Sequence, residues 1–522
     1  MKILNCRRLP LFLLVFLFVA SVAQAQQSCV SLASTYIPNV TITSVQFLKP
    51  GWASAEQTGF INSKPTAITK PACRIRAYSA PTIDSHIEIE VWLPAPENWN
   101  GKFLALGNPG FIGSIATAGL IGNSEKGWAT AATDTGHADD TAKWAPGHPE
   151  KWADWGYRAV HEMTVTAKTL IENYYSKPPQ HSYWNSCHNG GNQGLNEAQR
   201  YPGDYDGIVA GDPAFYISHL QPGSLYVSWL ALKDGVDGPG YIPTKKLAVI
   251  NKAALAACDA MDGLKDDLIT DPRKCKFDPK VLQCPDNKDG ESCLTTAQIN
   301  TVKKIYAGAK FKDGTQIYSG FEPGSELTWA PIMIEKEPFF VNVDYFKGMV
   351  HEDLNWDWRK FDLEKDTRKG IAKAGKMVDG NNPDLSGLKK AGGKLIMIAS
   401  WNSVALPPRR LSQYYEDVAK SMGGLSKTQD FARLFMVPGA GGCVGFMTGG
   451  KDFDAFTAIQ NWVEKGIAPD SIVYTQGPQG GRGQQGGVVR SRPTCAYPKV
   501  AKYKGSGDIN EAANFSCVDP GK

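Results

Sequence analysis

No histidine follows His351 in this chain of 522 residues, and all eight lie at or before that position. Two apolar runs that read as core strands, Lys394–Ser400 and Ala432–Val437, come later. In an open α/β sheet built for acyl transfer, nucleophile, acid and histidine stand in that chain order at the carboxyl ends of strands. A Ser–Asp–His triad in that order therefore cannot be assembled, and no Gly-x-Ser-x-Gly occurs anywhere. Pairs of the form Cys-x-x-Cys are also missing, which argues against zinc. The formal net charge of +4 is spread along the chain without a basic block, so neither nucleic acid nor a membrane surface is suggested as partner. Beyond residue 25 no apolar run is long enough to span a bilayer.

What is present begins with an export signal. Lys2, Arg7 and Arg8 precede the apolar run Leu11–Ala20 and then Ala23-Gln24-Ala25, the pattern of a secretory signal peptide with an Ala-x-Ala cleavage site. Residues 1–25 are therefore set apart, and the mature protein is expected to be secreted or periplasmic. The cysteines fit that compartment. Eleven occur, and removal of Cys6 with the signal leaves an even number, as disulfides require. Sequence neighbours suggest Cys258–Cys275, Cys284–Cys293 and Cys495–Cys517, and Cys29–Cys73 is also expected.

Alternation along Ser85–Leu93, short apolar runs at Lys102–Gly107 and Gly127–Thr133, and Asp206–Gly211 read as strands. Ala159, Met163, Ala167 and Ile171 recur at helical spacing, which predicts one long helix over Ala153–Ser176. Strands alternating with helices imply an α/β fold with a mostly parallel sheet covered on both faces. From about Tyr216 to about Leu388 the alternation stops, and that stretch reads as an inserted lid, residues 216–388, in a core of 26–215 and 389–522. Asp452–Lys465 reads as an amphipathic helix, and Gly477–Gly487 as a flexible loop by composition.

The chemistry centres on Tyr183–Leu195. A short strand turns on small residues into a helix that Tyr201-Pro202 stops, with His188 at the apex. That is the form of a nucleophile elbow, with histidine where a serine is usual. Imidazole titrates near neutral pH, so His188 can serve as general base or acid; the alternative is a polar filler in an inactive pocket. Two further strand-end turns matter, Trp401-Asn402-Ser403 and Gly439-Ala440-Gly441-Gly442-Cys443. Ser403 is a displaced nucleophile or an ordinary turn serine. Asp134 and His137 line the pocket or hold a strand-end loop. The aromatics Trp329, Phe339, Phe340, Tyr345, Trp356 and Trp358 clamp an aromatic ligand or fill a core.

These stretches, together with Arg158–Thr164, Asn192–Arg200, Asp206-Gly207-Ile208 and Tyr503–Asp508, resemble the tannase and feruloyl esterase family over nearly the whole mature chain. The resemblance implies an α/β-hydrolase fold with an inserted lid and carboxylic ester hydrolase activity. It also implies a disulfide Cys187–Cys443 joining the elbow to the last turn. The family's GCSTGG, GWAD and GHC match Ser186–Gly191, Ser400–Ser403 and Gly441–Cys443, so His188, Ser403 and Gly442 fall at the nucleophile, acid and base positions. Its glycine-rich run matches Gly107–Ser114, where Pro109 lacks a donor; Gly110 and Asn189 are the expected oxyanion amides. Cys258–Leu268 resembles the family's calcium loop, with the carboxylates of Asp259, Asp262 and Asp266 and the carbonyls of Leu264 and Leu268 as ligands. No organic cofactor is expected.

Three functions follow from this pattern. One is an enzyme acting on a phenolic or aromatic substrate by acid–base chemistry at His188, of lyase, isomerase or cyclase type. The second is a pseudoenzyme that binds a small aromatic molecule. The third is an ester hydrolase in which His188 activates water.

Overall fold

Residues 25–54, 67–330, 334–446, 448–477 and 489–520 are described by the computed structural model of the chain. The expected signal peptide and the Gly477–Gly487 loop fall almost wholly outside the described residues.

The strands, in chain order, are β1 (Val40–Leu48), β2 (Ala72–Ser79), β3 (Ile87–Pro94), β4 (Lys102–Ala105), β5 (Ala129–Thr133), β6 (His181–Cys187), β7 (Gly207–Gly211), β8 (Ala309–Lys310), β9 (Gln316–Tyr318), β10 (Lys394–Ser400), β11 (Ala432–Val437), β12 (Ser471–Gln476), β13 (Arg490–Cys495), β14 (Val500–Tyr503) and β15 (Phe515–Val518). Nine of them form one sheet in the order β1-β2-β3-β5-β4-β6-β7-β10-β11. The pairings among β1, β2, β3 and β5 are antiparallel. From β5 through β4, β6, β7, β10 and β11 every pairing is parallel, so the carboxyl ends of those strands share one edge. Residues 217–390 add no strand to this sheet among the described residues; β8 and β9 pair only with each other.

Both faces of the sheet are covered, which is why β7 and β10 are nearly continuous apolar runs rather than alternating ones. On one face the Ala159–Tyr175 helix sets Met163, Ala167, Leu170 and Ile171 against Ile89, Val91, Phe103 and Trp184. On the other, Ile459 and Trp462 of the Ala455–Lys465 helix pack on Tyr183, Val209, Ile396 and Phe435. Each large apolar side chain buried in this way is worth about 1.5–3 kcal/mol. A separate buried cluster draws mainly on 217–361, with Leu225, Ile250, Val302, Trp329 and Phe346 among its members.

The expected single helix over Ala153–Ser176 is interrupted. A short helix, Pro149–Ala153, passes into a π-helical turn at Asp154–Arg158 before Ala159–Tyr175 begins. The turn lies at a close approach between distant segments: a Cβ on Gly156 would stand 2.1 Å from the carbonyl oxygen of Met377. Helical periodicity in the sequence carries no trace of a partner more than two hundred residues away.

Five disulfides join Cys29–Cys73, Cys187–Cys443, Cys258–Cys275, Cys284–Cys293 and Cys495–Cys517. Among the described residues no helix is long and apolar enough to cross a membrane.

Candidate active site

The turn between β6 and the Asn189–Arg200 helix puts His188 at φ 64° and ψ −124°, a conformation that a residue with a side chain rarely adopts. Strain of this kind costs about 1–3 kcal/mol and persists only where the surroundings impose it. Here they do. The His188 N–H donates to the carbonyl of Gly211 (3.0 Å), and its own carbonyl accepts from Gly191, Asn192 and Ala214. The helix sits so close to the sheet that a Cβ on Gly191 would stand 2.5 Å from the Gly211 oxygen and 2.9 Å from the Pro213 Cα. Small residues after His188 are therefore a packing requirement of the elbow. The Asn189 N–H opens the helix, where amides have no intrahelical acceptor and oppose negative charge favourably.

Beside the elbow runs the segment Gly107–Ser114. Asn108 ties it down: its N–H donates to Gln193 Oε1 (3.1 Å), and its Nδ2 donates to the carbonyl of Thr133 (2.9 Å). Gly110 takes φ 54°, and Trp155 Nε1 donates to its carbonyl at 3.2 Å. The Phe111 carbonyl lies 2.7 Å from His137 Nε2, and the His137 ring stacks on Trp144. Asp134 Oδ1 accepts from the N–H groups of Glu88 and Gly136. Asp134 and His137 thus hold the loop behind Gly110. Burial pushes the Asp134 carboxyl well up and the His137 imidazole down, so both charged forms are disfavoured.

The turn after β10 is pinned at each residue. Trp401 donates to Val437, Asn402 to Ala440 and Ser403 to Ser400, while Asn402 Nδ2 reaches Gly324 at 2.8 Å. Ser403 is buried at 4% exposure. Its hydroxyl is 3.4 Å from where a Cβ on Gly442 would stand, so positions 403 and 442 abut. Gly442 itself has φ 125° and Cys443 φ 54°. The Cys187–Cys443 disulfide binds the residue before His188 to the residue after Gly442. Three strand-end turns are thereby brought to one edge of the sheet.

One residue that sequence reasoning passed over sits among them. Asp212, directly after β7 and only 2% exposed, accepts from Ser400 N (2.7 Å), Ser400 Oγ (3.0 Å) and Cys443 N (2.7 Å). An acid at a strand's carboxyl end, followed by Pro213, was the available signal.

The loop read as a calcium site lies elsewhere, against the β12–β13 hairpin. Asp259 accepts from the backbone N–H groups of Asp266, Asp267 and Leu268, and so shapes the loop. Asp262 accepts from Leu264 N (3.0 Å) and Thr270 Oγ1 (2.5 Å). Asp266 Oδ2 pairs with Arg492 at 2.6 Å, and its other oxygen is buried without a hydrogen-bond partner. Asp262, Leu264, Asp266 and Leu268 line one cavity of about 50 Å³ together with Arg492 and Thr494. Among the described residues no three His, Cys, Asp or Glu side chains converge as a metal cluster.

A strained elbow at the edge of a parallel sheet, helices on both faces and a disulfide tying the elbow to the last strand's turn define an α/β-hydrolase scaffold. Residues 73–518 match the family model described as tannase and feruloyl esterase. An uncharacterized esterase of Xanthomonas campestris pv. campestris is 34% identical over 551 residues, covering 95% of this chain and 92% of that one. A probable feruloyl esterase B-2 of Aspergillus terreus is 30% identical, covering 97% and 99% respectively. The crystal structure of feruloyl esterase B from Aspergillus oryzae superposes with a TM-score of 0.85 at 27% identity, over 95% of this chain and all of that one. The chain belongs to the tannase and feruloyl esterase family, and is an enzyme of the carboxylic ester hydrolase type.

Proposed function

We propose that this protein is an exported hydrolase of small phenolic carboxylic esters in which His188 acts as general base toward water. The observation that carries the reading is the elbow. Its strained backbone sets His188 at the apex between β6 and the Asn189–Arg200 helix, the position that resemblance assigns to the family's nucleophile. Resemblance sets His188, Ser403 and Gly442 at the family's nucleophile, acid and base positions, so the usual acyl-serine route is closed to this chain. In the proposed route water attacks the acyl carbon and passes its proton to His188. The C–O bond to the alcohol then breaks, and the imidazolium returns the proton to the departing oxygen, giving acid and alcohol. The Asn189 and Gly110 N–H groups are the donors assigned to the oxyanion. Relatives named as esterases favour assigning the acid–base chemistry of His188 to hydrolysis rather than to elimination, isomerisation or cyclisation.

Turnover of feruloyl and simple phenolic esters by the purified protein, with products identified by mass, tests this. Release of acid and alcohol that falls at least ~100-fold in His188→Ala is the expected result, in line with general-base contributions of 10²–10⁴. Undiminished hydrolysis in the variant, or a product of unchanged mass, overturns it.

The lid loop is proposed to hold a structural Ca²⁺. The unpartnered buried oxygen of Asp266 and the cavity shared by Asp262, Leu264, Asp266 and Leu268 support the fit, since Ca²⁺ takes about six to eight oxygens, carbonyls included. Bound there, calcium would fix the loop rather than take part in the reaction. Calcium should raise the thermal midpoint of the chelator-treated protein and leave Asp262→Asn unmoved; equal shifts in both would refute the assignment.

A further inference from the structure

We propose that Asp212 is the positioning residue of this site, its carboxylate setting the elbow, the Ser403 turn and the Gly442 turn in register. The proposal rests on the hydrolase reading for its kinetic consequence, though not for its structural one.

Asp212 stands between the parts it connects. Its own N–H donates to Ile398 of β10 (2.8 Å), while the preceding carbonyl, of Gly211, receives the His188 N–H (3.0 Å). Oδ1 takes the N–H of Ser400, the last residue of β10, from which the turn to Ser403 departs. Oδ2 takes the Ser400 hydroxyl and the N–H of Cys443, the residue next to Gly442 and disulfide-linked to Cys187. Two consecutive residues, 211 and 212, therefore touch all three turns. Hydrogen bonds to an ionised acceptor are short and roughly twice as strong as neutral ones. Asp212 also adopts φ 33°, a strained value for a residue with a side chain.

A buried carboxylate is a poor choice if stability were its only role, because burial disfavours its charged form. Burial pushes this carboxyl up to about 6, opposed by the bonds from Ser400 and Cys443. What the ionised group uniquely supplies is two acceptor oxygens facing three donors, two from Ser400 at the end of β10 and one from Cys443 in the turn after β11. An amide of the same shape cannot reproduce this. One of its two ends is a donor and must face either the Ser400 or the Cys443 N–H.

The test compares wild type with Asp212→Asn and Ser400→Ala in three measurements: steady-state kinetics, amide exchange over 394–401 and 438–446, and the rate at which mild reductant opens Cys187–Cys443. Asp212→Asn should lower kcat ~10- to 100-fold with KM within about threefold, as misplacement of catalytic groups does. Exchange over both segments and reduction of the bridge should each speed up about tenfold or more. Ser400→Ala, which removes only the hydroxyl bond, should give smaller changes of the same kind, and it decides the matter if Asp212→Asn does not fold. Unchanged exchange and reduction in the variants overturn the positioning role. If the wild type hydrolyses no ester, the hydrolase reading fails, and the exchange and reduction rates still decide the role of Asp212.

Discussion

Replacing Cys187 and Cys443 together by alanine should cost more stability than removing any other bridge, and the margin follows from the chain. A crosslink restricts the unfolded state by an amount that grows with the logarithm of the loop it closes. Cys187–Cys443 closes a separation of 256 residues, whereas Cys284–Cys293 closes 9. The loop-entropy relation gives ~5.5 kcal/mol for the first and ~2.6 kcal/mol for the second at 25 °C. Cys258–Cys275 and Cys284–Cys293 lie inside the larger loop and shorten it, but the logarithm makes that correction only ~0.1 kcal/mol. On the native side little should be lost, since Cys443 N still donates to Asp212 and Gly211 still holds His188. Urea titrations of the two double variants, followed by tryptophan fluorescence, measure the difference. The variant lacking Cys187–Cys443 should show the lower midpoint and also a steeper dependence on denaturant, because its unfolded chain exposes more surface. An equal or larger loss on removing Cys284–Cys293 would refute the entropic account.

Stability should also depend on pH through Asp212. Its carboxyl is raised from 3.8 to about 6 in the folded protein, so the native state holds a proton that the unfolded chain has released across that interval. The favourable contribution is complete below about 4 and is lost as pH rises through about 6, about 3 kcal/mol in all, and denaturant midpoints of Asp212→Asn should lack that decline. Gly191→Ala sets a methyl against the Gly211 oxygen and the Pro213 Cα and should cost about 1–3 kcal/mol, read as a lowered thermal midpoint with reduced turnover; a neutral outcome would mean that the elbow helix is looser than its spacing implies. Trp155→Phe removes the donor to the Gly110 carbonyl while keeping an aromatic ring. It should cost about 1 kcal/mol in stability, with a fall in kcat if Gly110 serves the oxyanion.

Strands buried on both faces were the most legible part of the sequence. β10 holds the apolar run Leu395–Ala399 and β11 is apolar apart from Arg433, and both strands have the limits expected from the sequence. β2 escaped notice because it carries Arg74 and Arg76 in its interior. Both bond to the buried Glu90 of β3, so charge stands where a hydrophobic pattern is sought. The elbow was legible because a strand, a tight turn and a helix are local. Asp212 was not, since its partners Ser400 and Cys443 lie 188 and 231 residues further on. The π-turn at Asp154–Arg158 belongs with it: nothing near Gly156 in sequence announces the Met377 carbonyl.

Gly442 makes the strand-end turns unequal in the substitutions they tolerate. The elbow backbone at His188 is equally strained for any residue with a side chain, so one-step exchanges there leave the scaffold intact. At 442 the chain has settled at φ 125°, where only glycine is comfortable, with the Ser403 hydroxyl at the edge of the space a side chain would enter. Any residue with a side chain placed there would need the turn to be rebuilt beside Cys443, which is held by its disulfide and by Asp212. Substitution by residues with a side chain is thus resisted at 442 and tolerated at 188, so this edge of the sheet has room to vary at the elbow and none at the last turn.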